Sequence, residues 1–524
     1  MMKHFVRTLR PGCAVLRRQR LLRGSSLQLR RSLATRAEVE AMSDSEWTSA
    51  WTSAVSDVHA TVPGGWVGVA SAPEPVAHEA SASMLRSLIQ SNLLRFTDLQ
   101  TNPRRFFEAH RILAARTPQL GPGFWIRFTV QYNLWAGSIV GLGDAAQVAE
   151  LDAMQDRGAL GCFCLTEKLA GVNSGMVANT VATYDSESGG FLLSTPSDGS
   201  RKNWISQGAV ADSAVVVASL TDAGGVECGP TAFVMELRNA ETGELAPGVH
   251  LEDMGRKTVG NDLDNVAVSF ENVAVPRSAL LGRYACVDDA GLYSATKDGA
   301  HVSAFAMVGQ RLFTGRVAVA QAALAFSRGV FAETKVYSDA KPIWGTSSSG
   351  EAEVLSSVPQ LRSLYTEAER RFTALDAFVA ACEDELAEVL LANDTPDAAL
   401  VEAIACAKVR AVEESIELCF RLKQEVGSYA LMGGTAFEQL DFLQCCKFAE
   451  GDSRILMLKM ARDEMRRQKG KEGGEEEDEA ARLCAELSAA MEAGRGGEDG
   501  EWEKLYRIAA ITMERVTQRV CPEQ

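Results

Sequence analysis

The hydrophobic period of the chain changes twice, and the order of those changes limits the folds open to it. Over 83–155 apolar residues recur at helical spacing, with Leu85, Leu88, Leu93, Leu94 and Phe96 suiting one face and Phe106, Phe107, His110 and Leu113 another. The pattern then shortens to strand-like runs at 177–184, 190–194, 214–218, 231–235 and 266–270. Turn signals separate the runs, among them Asp185-Ser-Glu-Ser-Gly-Gly190, Asp198-Gly199 and Ala223-Gly-Gly225. Short strands at that spacing predict an antiparallel sheet or small barrel. After Pro276 the helical period returns over 311–334, 351–391 and 398–429. Helix, strand, helix, with no βαβ alternation, predicts an α+β chain with a β-domain set between helical parts.

The expected boundaries are a helical domain at 83–160, a β-domain at 161–285 and a helical bundle at 286–468. Residues 37–82 are rich in Ser, Ala and Thr and read as a poorly ordered lead-in. Residues 469–524 read as an acidic linker with closing helices. Residues 1–36 carry ten basic side chains and no acidic one, with leucines interspersed. That is the pattern of an organelle presequence, expected to be mitochondrial, with plastid or peroxisome as alternatives.

The 524 residues are 46% apolar and 23% charged, an ordinary globular composition. No run of about 18 apolar residues occurs, so no membrane span is expected. The formal charge of −16 disfavours nucleic acid as a partner, because that affinity comes mainly from Lys and Arg facing phosphates. The 12 cysteines form no Cys-x-x-Cys pair, and the six histidines form no His-Glu-x-x-His grouping. No metal site and no disulfide framework are expected. Phosphate-loop, dinucleotide-fold and Gly-x-Ser-x-Gly motifs are absent too.

Three segments say more. They are Gly161-Cys-Phe-Cys-Leu-Thr-Glu-Lys-Leu-Ala-Gly-Val-Asn173, Lys202-Asn-Trp-Ile-Ser-Gln-Gly-Ala-Val-Ala-Asp212, and Met432-Gly-Gly-Thr-Ala-Phe437 followed by Phe448-Ala-Glu-Gly-Asp-Ser-Arg-Ile-Leu456. In this order and spacing the chain resembles the acyl-CoA dehydrogenase superfamily, and within it the acyl-CoA oxidases. The oxidase resemblance rests also on 128–143, on Lys257-Thr-Val-Gly-Asn-Asp-Leu-Asp-Asn265 and on Glu450-Gly-Asp452. It runs from about 85 to 468.

The resemblance implies a helical domain, a central antiparallel β-barrel and a C-terminal four-helix bundle. It implies FAD as cofactor and α,β-dehydrogenation of an acyl-CoA thioester to the trans-2-enoyl-CoA. Oxygen as acceptor, giving H2O2, is the first expectation. Transfer to an electron-transfer flavoprotein is the second, and a catalytically silent acyl-CoA-binding paralogue the third. By resemblance Glu450 is the base for the α-proton, and its apolar neighbours Phe448 and Ala449 suit a carboxylate of raised pKa. Phe163, Leu165, Thr166, Trp204 and Ser206 fall at flavin-edge positions. Gly433 and Gly434 match a double glycine near the adenine half of FAD. Lys335 is the nearest match to a residue that reaches a neighbouring subunit's FAD, so a homodimer or homotetramer is implied. Arg316, Gly171 and Val172 fall on the substrate side. Val172 stands where the family usually has Ser, and Ala449 where it usually has Tyr.

Overall fold

The computed structural model describes residues 35–60, 74–116, 122–171, 177–299, 311–346, 352–469, 478–492 and 500–522. The presequence expected at 1–36 lies outside them except for its last two residues, and Val172 lies outside them as well. Among the described residues no helix is long and apolar enough to cross a membrane.

The first helical region is α1 (Arg36–Glu40), α2 (Asp44–Ala60), α3 (Glu74–Gln90), α4 (Asp98–Thr101), α5 (Pro103–Ala115), α6 (Pro122–Thr129), a π-helix (Val130–Ala136), α7 (Gly137–Leu142) and α8 (Ala145–Asp156). Three of these correct the expected lead-in, since α1, α2 and the start of α3 occupy much of 37–82. The physical reason is an apolar stripe beneath the small polar residues. Trp47, Trp51, Val55 and Val58 recur at helical spacing and are all buried. Trp47 and Trp51 stack with ring centroids 5.8 Å apart, and the Trp47 indole N–H donates to the Leu93 carbonyl at 2.5 Å. Ser43 and Glu46 cap the start of α2, with the Ser43 N–H donating to the Glu46 carboxylate at 2.9 Å.

The β-region comprises β1 (Gly161–Cys164), β2 (Val181–Asp185), β3 (Gly190–Ser194), β4 (Lys202–Ser206), β5 (Ser213–Thr221), β6 (Glu227–Glu236), β7 (Val249–Asp253), β8 (Asn265–Phe270), β9 (Val273–Val275), β10 (Ala285–Val287) and β11 (Tyr293–Ala295). It departs from the expected antiparallel barrel. One six-stranded sheet runs β1-β5-β2-β3-β9 with β6 on β5, and a separate three-stranded sheet runs β4-β8-β7. β5 pairs in parallel with both β1 and β2. The two sheets share one apolar core, including Val216 and Phe233 from the first and Val266 and Val268 from the second. The result is a half-barrel of mixed strand direction.

The C-terminal helices are α9 (Arg311–Ala340), α10 (Pro359–Leu391), α11 (Ala398–Glu425), α12 (Asp441–Phe448), α13 (Ser453–Lys469), α14 (Glu479–Glu492) and α15 (Glu501–Val520). A hairpin of β12 (Pro342–Thr346) and β13 (Ala352–Val354) joins α9 to α10. The three long helices pack on one another, and α5 of the first region packs on α9. One continuous apolar core, with Phe107, Phe326, Phe372 and Leu418 inside it, therefore links the N- and C-terminal helices.

Candidate active site

The carboxyl of Glu450 sits where three elements meet. α12 ends at Phe448, and the chain then turns through Glu450 and Gly451, both left-handed at φ 57° and 96°. A glycine accepts that conformation readily; a glutamate there is held by its surroundings. Two cations do the holding. The Arg316 Nε–H of α9 donates to the Glu450 carbonyl at 3.0 Å. The Lys408 ammonium of α11 donates to the carbonyls of Lys447 and Gly451 at 2.7 and 3.0 Å, and to Ser453 Oγ at 3.1 Å. Lys408 is fully buried, and the carbonyls it meets flank the Glu450 turn on both sides.

The side chain is buried. Its Oε1 accepts from the Asn133 amide Nδ2 at 3.3 Å, and its Oε2 is buried without a hydrogen-bond partner among the described residues. Gly315 lies directly against this carboxyl, and a Cβ there would fall 2.5 Å from Oε1. Only a glycine leaves room for the acid at that point on α9. Burial pushes the Glu450 carboxyl up to about 7, against the opposing pull of Arg316, Asn133 and Lys408. Burial likewise lowers Arg316 to about 10 and Lys408 to about 8. A carboxyl poised near neutrality is suited to taking up a proton from a weak carbon acid.

Asn133 belongs to the π-helix, whose wider turn is a common feature of functional sites. The same segment reaches the β-region. Gln131 accepts from the Gly161 N–H at 2.8 Å and donates to the Ala159 carbonyl at 3.0 Å, and Trp135 packs where a Gly161 side chain would be. It thus fixes the start of β1, which leads to Thr166. There the Asn203 N–H donates to the Thr166 carbonyl at 2.8 Å, and the buried pair Glu167–Lys202 locks the crossing at 2.9 Å.

β4 changes register between Lys202 and Ile205, with Trp204 at φ 56°. A bulge of this kind re-aims a side chain. Ile205 goes into the core while Trp204 is 56% exposed. Asn265 Nδ2 donates to Ser206 Oγ at 3.0 Å and steadies the end of the strand. Thr166, Trp204 and Ser206 are therefore brought to one sheet edge, with an indole face and hydroxyls available to a planar ring. The side chains of Phe163 and Leu165 pack instead on the helical core, and the Leu165 carbonyl accepts from Lys202 Nζ at 3.2 Å. Gly171 is exposed just beyond this edge.

The remaining expected residues gather elsewhere. Lys335 lies near the far end of α9, paired with Asp339 at 2.8 Å and facing an open groove of about 850 Å3 between α9 and α10. Gly433 and Gly434 are at that same end. Tyr429 stacks on Tyr337 at 3.7 Å, and the Ala436 N–H donates to Glu333 at 2.9 Å. Both glycines are exposed, and a Cβ on either would meet nothing within 4 Å. The Gly434 N–H donates to the Glu438 carboxylate at 2.9 Å, and the space beside both glycines is open, which fits a cofactor passing close by. At 1.5 Å per residue, Arg316 and Lys335 are roughly 28 Å apart along α9. Glu450 and Arg316 thus lie at one end of α9 and Lys335, Gly433 and Gly434 at the other, while Thr166, Trp204 and Ser206 lie on the β-region.

Reading the sequence missed Asn133, Thr314, Gly315 and Lys408. The available signal was polarity out of place: Asn133 within the apolar 124–142 and Lys408 within 403–412. Among the described residues, no three His, Cys, Asp or Glu side chains group as metal ligands.

No protein-family profile matches the chain. Over 237 residues it is 33% identical to the peroxisomal acyl-coenzyme A oxidase 2 of Arabidopsis thaliana, covering 44% of this chain and 33% of that protein. Over 170 residues it is 35% identical to acyl-coenzyme A oxidase 1 of Yarrowia lipolytica, covering 32% and 24%. The matched stretches thus span a third or less of these relatives' own length. Among solved structures, acyl-CoA oxidase 1 of Yarrowia lipolytica superposes with a TM-score of 0.69 at 20% identity, over 90% of this chain and 76% of that one. Acyl-CoA oxidase-1 of Caenorhabditis elegans, complexed with FAD and ATP, gives 0.71 at 17%, over 91% and 76%. Butyryl-CoA dehydrogenase of Megasphaera elsdenii gives 0.59 at 18%, over 80% and 97%. The fold is that of the acyl-CoA oxidases and dehydrogenases, and the sequence similarity is to the oxidases.

Proposed function

We propose that this chain is an FAD-dependent acyl-CoA oxidase, converting an acyl-CoA to the trans-2-enoyl-CoA with O2 as electron acceptor, the first step of fatty acid β-oxidation. The observation that carries the reading is Glu450, a buried carboxyl near neutrality with one oxygen uncommitted. An α-proton on a thioester is weakly acidic, so the base must be desolvated and the enolate stabilised. Glu450 takes that proton. Arg316 and Lys408 fix the turn that carries it. Gly171 borders the substrate.

FAD, when bound, supplies the acceptor for the β-hydride. Thr166, Trp204 and Ser206 would hold its ring, with backbone contributed near Phe163 and Leu165. Gly433, Gly434 and Lys335 would hold the adenine half. The separation along α9 supports a site completed between two subunits, hence a homodimer or larger assembly. The oxidase relatives favour O2 over an electron-transfer flavoprotein. The name of the Arabidopsis relative favours the peroxisome over the mitochondrial expectation.

The test is spectroscopic. Purified protein should be yellow, bleach on anaerobic addition of an acyl-CoA, and recover in air with release of H2O2. Bleaching without recovery in air would remove the oxidase assignment, and flavin-free protein from a flavin-replete host would remove the enzyme assignment.

A further inference from the structure

The two oxygens of Glu450 have different surroundings, and the difference comes from a residue on another domain. Asn133 is buried in the π-helix. Its Oδ1 accepts from the Thr314 hydroxyl at 2.6 Å, which leaves the amide N–H groups for the carboxyl. One of them donates to Glu450 Oε1 at 3.3 Å. Thr314, Gly315 and Arg316 are consecutive on α9, so one turn of helix orients the asparagine, makes room for the acid and holds the acid's backbone.

We infer that Asn133, oriented by Thr314, is a positioning residue that tunes the proton affinity of Glu450 and leaves Oε2 as the oxygen that accepts the α-proton. The role in proton abstraction rests on the reading of Glu450 as base. In that step the α-carbon–hydrogen bond breaks, an O–H bond forms at Oε2, and the electron pair stays on the acyl thioester. A donor to Oε1 favours the charged carboxylate. The charged groups facing Glu450 are Arg316 from α9 and Lys408 from α11, and both favour ionisation as well. Without the amide, burial would hold the acid protonated to higher pH and reduce the fraction able to act as base.

The test uses purified holoprotein and octanoyl-CoA. Ionisation of Glu450 is read from the protonated-carboxyl infrared band that Glu450→Gln lacks. It is read again from the pH dependence of anaerobic flavin bleaching. Asn133→Leu should move both midpoints upward by about one pH unit, as loss of a hydrogen bond to a charged group implies. Asn133→Asp, which sets a second carboxyl against the first, should move them further. Thr314→Val should give a smaller upward shift and Thr314→Ser none, with KM little changed. Should Asn133→Leu fail to fold, the Thr314 pair carries the same comparison. Unmoved midpoints in Asn133→Leu, or in Thr314→Val if that variant alone folds, would overturn the inference and leave the base intact. Bleaching at the unmodified rate in Glu450→Gln would instead remove Glu450 as base, with the infrared midpoints still deciding whether Asn133 tunes it.

Discussion

At position 450 burial and chemistry ask for opposite protonation states, and the consequence is measurable. Glu450→Gln keeps the shape and removes the base, so flavin bleaching should fall by roughly 10²–10⁴ while FAD stays bound. Stability should respond in the other direction. The carboxyl is raised from its ordinary 4.5 to about 7, so between those values the folded protein binds more protons than the unfolded chain. Stability then falls as pH rises through that window, by ~1–3 kcal/mol. Denaturant titrations from pH 4.5 to 8 should show that slope in the unmodified protein and a flatter profile in Glu450→Gln. Glu450 was picked out in sequence through Glu-Gly-Asp, but its apolar neighbours Phe448 and Ala449 are themselves exposed, and the carboxyl is enclosed by Gly315 and Asn133 instead. Its hydrogen-bond partner Asn133 was not picked out, being 317 residues away along the chain. No local pattern reports a pairing at that distance.

Among the elements, the long amphipathic helices were legible because their apolar stripes repeat over many turns. α2 was not, because Ser and Thr on its exposed face hid four well-spaced apolar residues. The hairpins β2–β3 and β5–β6 were announced by their turns, whereas the parallel pairing of β5 with β1 and β2 joins strands that share no turn. The bulge at Trp204 left no signal either, since it depends on pairing with β8. The Glu450 turn depends on Lys408 in the same way. Lys408→Met preserves bulk and removes three donated hydrogen bonds from two carbonyls and a hydroxyl. Unsatisfied buried acceptors cost about 1–3 kcal/mol each before relaxation. Lys408→Met should therefore lower stability by ~2–4 kcal/mol and slow bleaching, with FAD content largely kept. Unchanged melting and bleaching would show that the turn holds itself.

For the molecule as a whole, the two groups of site residues at opposite ends of α9 make the subunit arrangement testable. Glu450→Gln disables one group and Gly434→Val the other, the latter by forcing a β-branched residue to φ 80°. Each variant alone should be inactive. If each site combines the Glu450 end of one subunit with the Gly434 end of its partner, a mixed dimer has one wholly unmodified site. Co-expressed and purified through two tags, it should recover about half the normal activity, as two-fold symmetry requires. Recovery of none would mean that both groups serve a site within one chain.

The left-handed turn at Glu450 and Gly451 bears on how this protein would fare under selection. Glycine at 450 would relax the backbone and remove a buried acid, so Glu450→Gly should melt higher than the natural sequence while bleaching no flavin. A library sorted for thermal tolerance alone would be drawn towards that substitution. Any effort to harden this protein by directed evolution therefore has to score turnover in every round, because at this turn the fittest fold and the working catalyst are different sequences.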